Sequence, residues 1–143
     1  MSWKYKSESG KEMQMSRIEE LLNTPYWIID ILPKQIPKDS QGQYFTIEEH
    51  FLKKQLAIIK QKHINVILKL NCYMDISIDE ETNPPPERII DIMNERYVYI
   101  MAGNAMILSE PDDTHMTVFN PDEKLIDLFK AISAGEGLFV WKP

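Results

Sequence analysis

Residues 64–78 read Ile-Asn-Val-Ile-Leu-Lys-Leu-Asn-Cys-Tyr-Met-Asp-Ile-Ser-Ile. Ile64, Val66, Leu68, Leu70, Cys72, Met74, Ile76 and Ile78 occupy every second position. Of the residues between them, only Ile67 and Tyr73 are not strongly polar. A period of 2 is that of an extended chain with one buried face, whereas a helix repeats every 3.6 residues. The alternation predicts a long strand over 64–78. If straight, it would span roughly 50 Å, so a bend or bulge near Asn71-Cys72 is expected.

Helix and turn signals flank this segment. Ile18, Leu21 and Leu22 have helical spacing, and Asn23-Thr24-Pro25 ends that helix. Tyr26 to Leu32 reads as a strand apolar on both faces, closed by Pro33 and Pro37. Thr46 and Glu49 form a capping-box pair before a helix expected over Ile47 to about Gln61. Asn83-Pro84-Pro85-Pro86 is a stiff lead into a helix ending near Arg96. Gly103-Asn104 marks a hairpin between Tyr97–Met101 and Ala105–Leu108, and His115 to Phe119 returns as a third strand. Asn120-Pro121-Asp122-Glu123 starts a helix with Gly135 as its cap, and Leu138 to Trp141 is a last strand.

These elements predict an α+β domain over 17–143 with a mainly antiparallel sheet, a long central bent strand and three to four helices. Residues 1–16 read as a polar tail, with Met1 or Met15 as the starting residue. With 143 residues, 43% of them hydrophobic, the chain can bury a core without disulfides or a structural metal. Its one cysteine, Cys72, is expected to be an inert buried thiol on the strand's apolar face. An unpaired thiol suits a reducing compartment, so a cytoplasmic location is expected. The N-terminus has no apolar core of a secretory signal, and no stretch is long enough to cross a membrane.

Net charge is −6, unevenly spread. Residues 1–69 carry 11 basic and 8 acidic side chains, and residues 70–143 carry 5 and 14. Nucleic acid is therefore not expected as a partner. Lys53, Lys54, Lys60 and Lys62 read as a solvated helix face. The acidic half suits a basic protein partner.

Chemistry-bearing residues are few. His50 and His63 are about 20 Å apart on a helix, and no zinc or calcium spacing occurs, so no metal or other cofactor is expected. Asp75, Asp79, Glu80 and Glu81 read as a solvated strand end. Asp112-Asp113-Thr114-His115 is either a turn with an exposed histidine or a compact acid–base pair. Asp30 lies within the apolar run Trp27–Leu32 and needs a partner or a raised pKa.

Two functions follow from these features. The first is a small non-catalytic protein-binding or regulatory module of inhibitor or immunity type, with Tyr44, Asp112, Asp113 and His115 as contact residues. The second is a small enzyme with a dispersed acid–base site near Asp30 and His115. Homo-oligomerisation through the edge of the long strand or of the final strand is a further expectation.

Overall fold

The computed structural model describes residues 14–143. The tail at 1–13, with Trp3, Tyr5 and Met13, lies outside the described residues. The elements in chain order are α1 (14–22), β1 (Tyr26–Asp30), α2 (Tyr44–Lys54), α3 (Leu56–Asn71), β2 (Ser77–Ile78), β3 (Glu81–Thr82), α4 (Pro86–Glu95), β4 (Val98–Ala102), β5 (Ala105–Ser109), β6 (Met116–Phe119), α5 (Glu123–Gly135) and β7 (Phe139–Trp141). The α+β class is as expected. The described residues contain five helices rather than three or four.

The long strand is not there. Residues 56–71 are helix α3, and only Ser77–Ile78 of the alternating segment is strand. The buried residues of α3 are Ile59, Lys60, His63, Ile64, Val66, Ile67 and Leu70. They recur at intervals of three and four, the spacing of a helical stripe. Val66 and Leu70 satisfy both periods, which is why the alternation looked complete. Ile67 does not: it is fully buried, although a strand would have turned it to water. The β-branched residues that suggested a strand cost a helix little when burial repays them. Nothing breaks the chain between His63 and Ile64; the break falls at Gln55, between α2 and α3. α2 starts at Tyr44, earlier than the Thr46–Glu49 capping pair implied.

Two further corrections follow. Cys72, just past α3, is exposed and not buried. The edge of the long strand also disappears as a surface for pairing copies of the chain.

Seven antiparallel strands form one sheet in the order β3-β2-β4-β5-β6-β1-β7. The meander β4-β5-β6 is local, and its Gly103-Asn104 turn has Gly103 at φ 61°. β1, far earlier in sequence, inserts between β6 and β7. One sheet face (Ile29, Ile100, Ile107, Val118) packs on Ile64, Ile67 and Leu70 of α3, Ile89 and Met93 of α4, and Phe129 of α5. The N-cap of α5 is Asp122, whose side chain accepts from the Leu125 amide at 2.8 Å.

Among the described residues, α1 covers part of the opposite face. α1 lays Ile18 and Leu21 over Met106, Leu108 and Phe119. β1 begins beside this cluster and ends beyond it, where a different set of residues covers the sheet.

Candidate functional site

In the β1–β6 register, Ile28 faces Thr117 and Ile29 faces Met116. The pairing ends there: Asp30 is the last residue of β1, and His115 immediately precedes β6. These are the two residues that the apolar run and the Asp-Asp-Thr-His turn single out in the sequence. They line one cavity of about 230 Å³. Its other walls come from the loop after β1 and from α2.

Those walls are mostly apolar: Ile31, Leu32 and Ile36 from the loop, Ile47 and Phe51 from α2. Pro33 and Pro37 keep the loop from continuing the sheet. The Ser40 amide bonds to the Pro37 carbonyl at 3.2 Å and the Gly42 amide to Ser40 Oγ at 3.2 Å, turning the chain into α2. Trp141 Nε1 donates to the Leu32 carbonyl at 3.0 Å and fixes the exit of β1.

The polar groups converge on this apolar lining. His115 Nδ1 and Asp113 Oδ1 are 2.8 Å apart. This hydrogen bond raises the imidazole's pKa against the effect of its burial, with help from the charges of Asp113 and Asp30. Burial pushes the Asp113 carboxyl up, but the His115 bond and charge, with Glu110 and the Thr114 amide, bring it down to about 2. The Thr114 amide donates to Asp113 Oδ1 at 2.7 Å. Glu110 is raised, chiefly by its hydrogen bond to Asp113. Burial also raises Asp30, opposed by the Ile31 amide, which donates to its Oδ1 at 2.7 Å, and by His115. The Tyr44 hydroxyl donates to Glu48 Oε2 one helical turn on, and this bond pushes the phenol to about 12.

Of the residues marked in the sequence, Tyr44, His115 and Asp30 share the cavity lining. Asp113 supports His115 from beside it. Asp112 is exposed and is not part of the lining. Glu48 and Phe51 are additional lining residues that sequence reasoning did not single out; α2 brings them there at the spacing of its Tyr44 face.

Behind the cavity lies a pair that sequence reasoning also missed. Lys60, expected in a solvated cluster, is buried, and its ammonium donates to the Glu110 carbonyl and to His63 Nδ1 at 2.9 Å. This ties α3 to the loop carrying Asp113 and His115. Burial lowers Lys60 to about 8. Burial, then the Lys60 charge, lowers His63 to about 3, so its ring is neutral near pH 7. Since Nδ1 accepts from Lys60, the ring proton is assigned to Nε2. Nε2 has no hydrogen bond of normal geometry, although the Thr114 backbone is close enough to favour the charged ring. A helical reading of 56–71 would have placed both residues on the buried stripe.

The acidic segment at 75–81 serves the fold. Asn83 Nδ2 donates to Asp75 Oδ1 at 2.9 Å, and Asp79 and Glu81 pair with Arg96 and Arg88. Among the described residues, no group of three His, Cys, Asp or Glu side chains is placed to hold a metal, and no helix is long and apolar enough to cross a membrane. The chain matches no known family model, and neither curated proteins nor solved structures show a match to it.

Proposed function

We propose that this protein is a binding module that engages another protein through the cavity face formed by α2 and the ends of β1 and β6. The carrying observation is the state of α2. None of its residues is buried, and Phe45, on its first turn, is 81% exposed beside the cavity mouth. An isolated 11-residue helix has little stability of its own, and this one leaves a large aromatic and Ile47 in solvent. Exposed aromatics beside a concave, mainly apolar site are what partner-binding surfaces provide. The acidic surplus of the C-terminal half favours a basic partner.

The test is capture by the immobilised protein from a lysate of its own source cells. A basic protein should be retained at low salt and released as ionic strength rises, because exposed charges are screened over about 10 Å at 0.1 M. Phe45→Ala should lose most of this retention, since an aromatic anchor typically contributes 2 kcal/mol or more, roughly thirtyfold in affinity. Recovery of no protein at low salt would refute the reading.

One observation favours a second reading, acid–base catalysis in the same cavity. The Asp113–His115 hydrogen bond orients an imidazole, and Asp30, whose burial favours its protonated form, stands across from it. His115 Nε2 would then take a proton and Asp30 return one. Turnover of a panel of simple esters and phosphodiesters that disappears in His115→Ala supports this reading; equal rates for the two proteins dismiss it.

A further inference from the structure

We infer that the cavity receives a basic side chain, an ammonium or guanidinium on an apolar stem, presented by the partner protein. This rests on the binding reading above and names what enters the site. The argument is one of size, lining and charge.

Pockets for drug-sized ligands hold about 300–1,000 Å³. At about 230 Å³ this cavity is smaller and suits one long side chain. Its apolar walls match the methylene stem of lysine or arginine, which buries readily while its charged end seeks polar partners. The carboxylates of Asp30 and Glu48 line it, and among the described residues no lysine or arginine does.

The charges around it come from every neighbouring element. β1 contributes Asp30, α2 contributes Glu48, and the β5–β6 loop contributes Glu110, Asp112 and Asp113. Among the described residues, the cations near these acids are Lys34 and Lys38 of the β1–α2 loop, which line adjoining grooves and not this cavity, together with Lys60 and His115. Lys60 of α3 is turned away, onto the Glu110 carbonyl and His63. His115 is positive only when protonated, and it is then held by Asp113. A neutral guest would leave Asp30 and Glu48 with only the donors the fold already gives them, the Ile31 amide and the Tyr44 hydroxyl. A cationic guest forms charge-assisted hydrogen bonds with them. A protonated His115 competes with that guest by like-charge repulsion, so occupancy should tighten as pH rises through the His115 titration.

The experiment uses the full chain and three small probes of similar shape: n-butylguanidinium, n-butylammonium and neutral n-butylurea. Binding is read from NMR signals of Asp30, Phe51 and His115. Both cations should give saturable shifts at these residues, and n-butylurea none. Asp30→Asn and Glu48→Gln should each weaken the cations by about tenfold, the effect of losing one charge-assisted bond. Raising pH across the His115 titration should tighten them. Tyr73→Ala should leave probe binding unchanged, because Tyr73 lies past the end of α3 and is not part of this cavity's lining.

Equal shifts by n-butylurea, or no shift by either cation, overturn the inference. If partner capture persists while the probes fail, the binding-module reading survives and only the basic guest is wrong. If the probes bind and no partner is captured, the cavity chemistry stands and the protein-binding reading falls.

Discussion

Ile67→Ala is expected to lower stability by about 2–5 kcal/mol, the usual cost of truncating a fully buried aliphatic side chain. That is a large share of the roughly 5–15 kcal/mol a domain of this kind has in total. Tyr73→Ala, six residues on, should change stability by no more than about 0.5 kcal/mol. Ile67 is inaccessible to solvent, while Tyr73 is 71% exposed. The comparison separates the two periodicities of the segment. In a strand, residues 67 and 73 share a face and would respond alike. In the helix, Ile67 packs under the sheet and Tyr73 lies past the helix end. Alanine is the best helix former, so the loss at Ile67 reports packing and not helix propensity. Urea unfolding of the two variants measures it; similar midpoints would contradict helix α3.

Acid should destabilise the protein through His63, and His115 should resist that trend. His63 in the unfolded chain takes up a proton near its ordinary 6.5, but in the fold not until about 3. Its contribution is therefore fully present above 6.5 and is lost progressively as pH falls toward 3. At about 1.4 kcal/mol per unit, the loss approaches 4–5 kcal/mol over that window. His115 has the opposite sign. Its folded pKa is raised by Asp113, so its stabilisation is fully present below 6.5 and is lost as pH rises through the folded value. Asp113, lowered in the fold from 3.8 to about 2, keeps its contribution above 3.8 and loses it as pH falls below that, so it adds to the acid loss only at the low end of this window.

Unfolding free energies at about pH 7 and about pH 4 separate the two histidines. His63→Asn keeps an acceptor near the Nδ1 position for Lys60 and removes the titration, so its stability should fall much less on acidification. His115→Asn should fall more steeply than the parent. Parallel slopes for all three proteins would show that neither ring is linked to folding in this way.

Most element boundaries were legible because turns and caps act locally. Gly103-Asn104 turns β4 into β5, and Asp122 caps α5, with residues that permit little else. Segment 56–78 was not legible. It holds no glycine or proline, and its β-branched residues satisfy two periods over part of their length. Within 64–78 only Ile67 and Tyr73 fall out of phase with the strand, and two such residues are easily taken for tolerated exposure. The misassignment carried over to Lys60 and His63. On a helix ending near residue 61, Lys60 joins a solvated lysine face and His63 falls past the end; on one running to Asn71 both fall on the buried stripe.

The candidate site was legible one residue at a time. Asp30 stood out as an acid in an apolar run, and His115 as a histidine following two aspartates. Joining them in one acid–base site rests on residue type, because no spacing or turn signal places them side by side. Their meeting depends on β1 inserting between β6 and β7, a non-local pairing that no turn signal announces.

Because Asp30 ends β1 and His115 leads into β6, its partner strand, the spacing that matters is counted across the sheet, not along the backbone. A slip of β1 against β6 by a single residue would turn Asp30 to the packed face and empty the cavity of its acid. Strand alignment and binding chemistry are thus one inherited property, and any variant that preserves the first keeps open the route to the second.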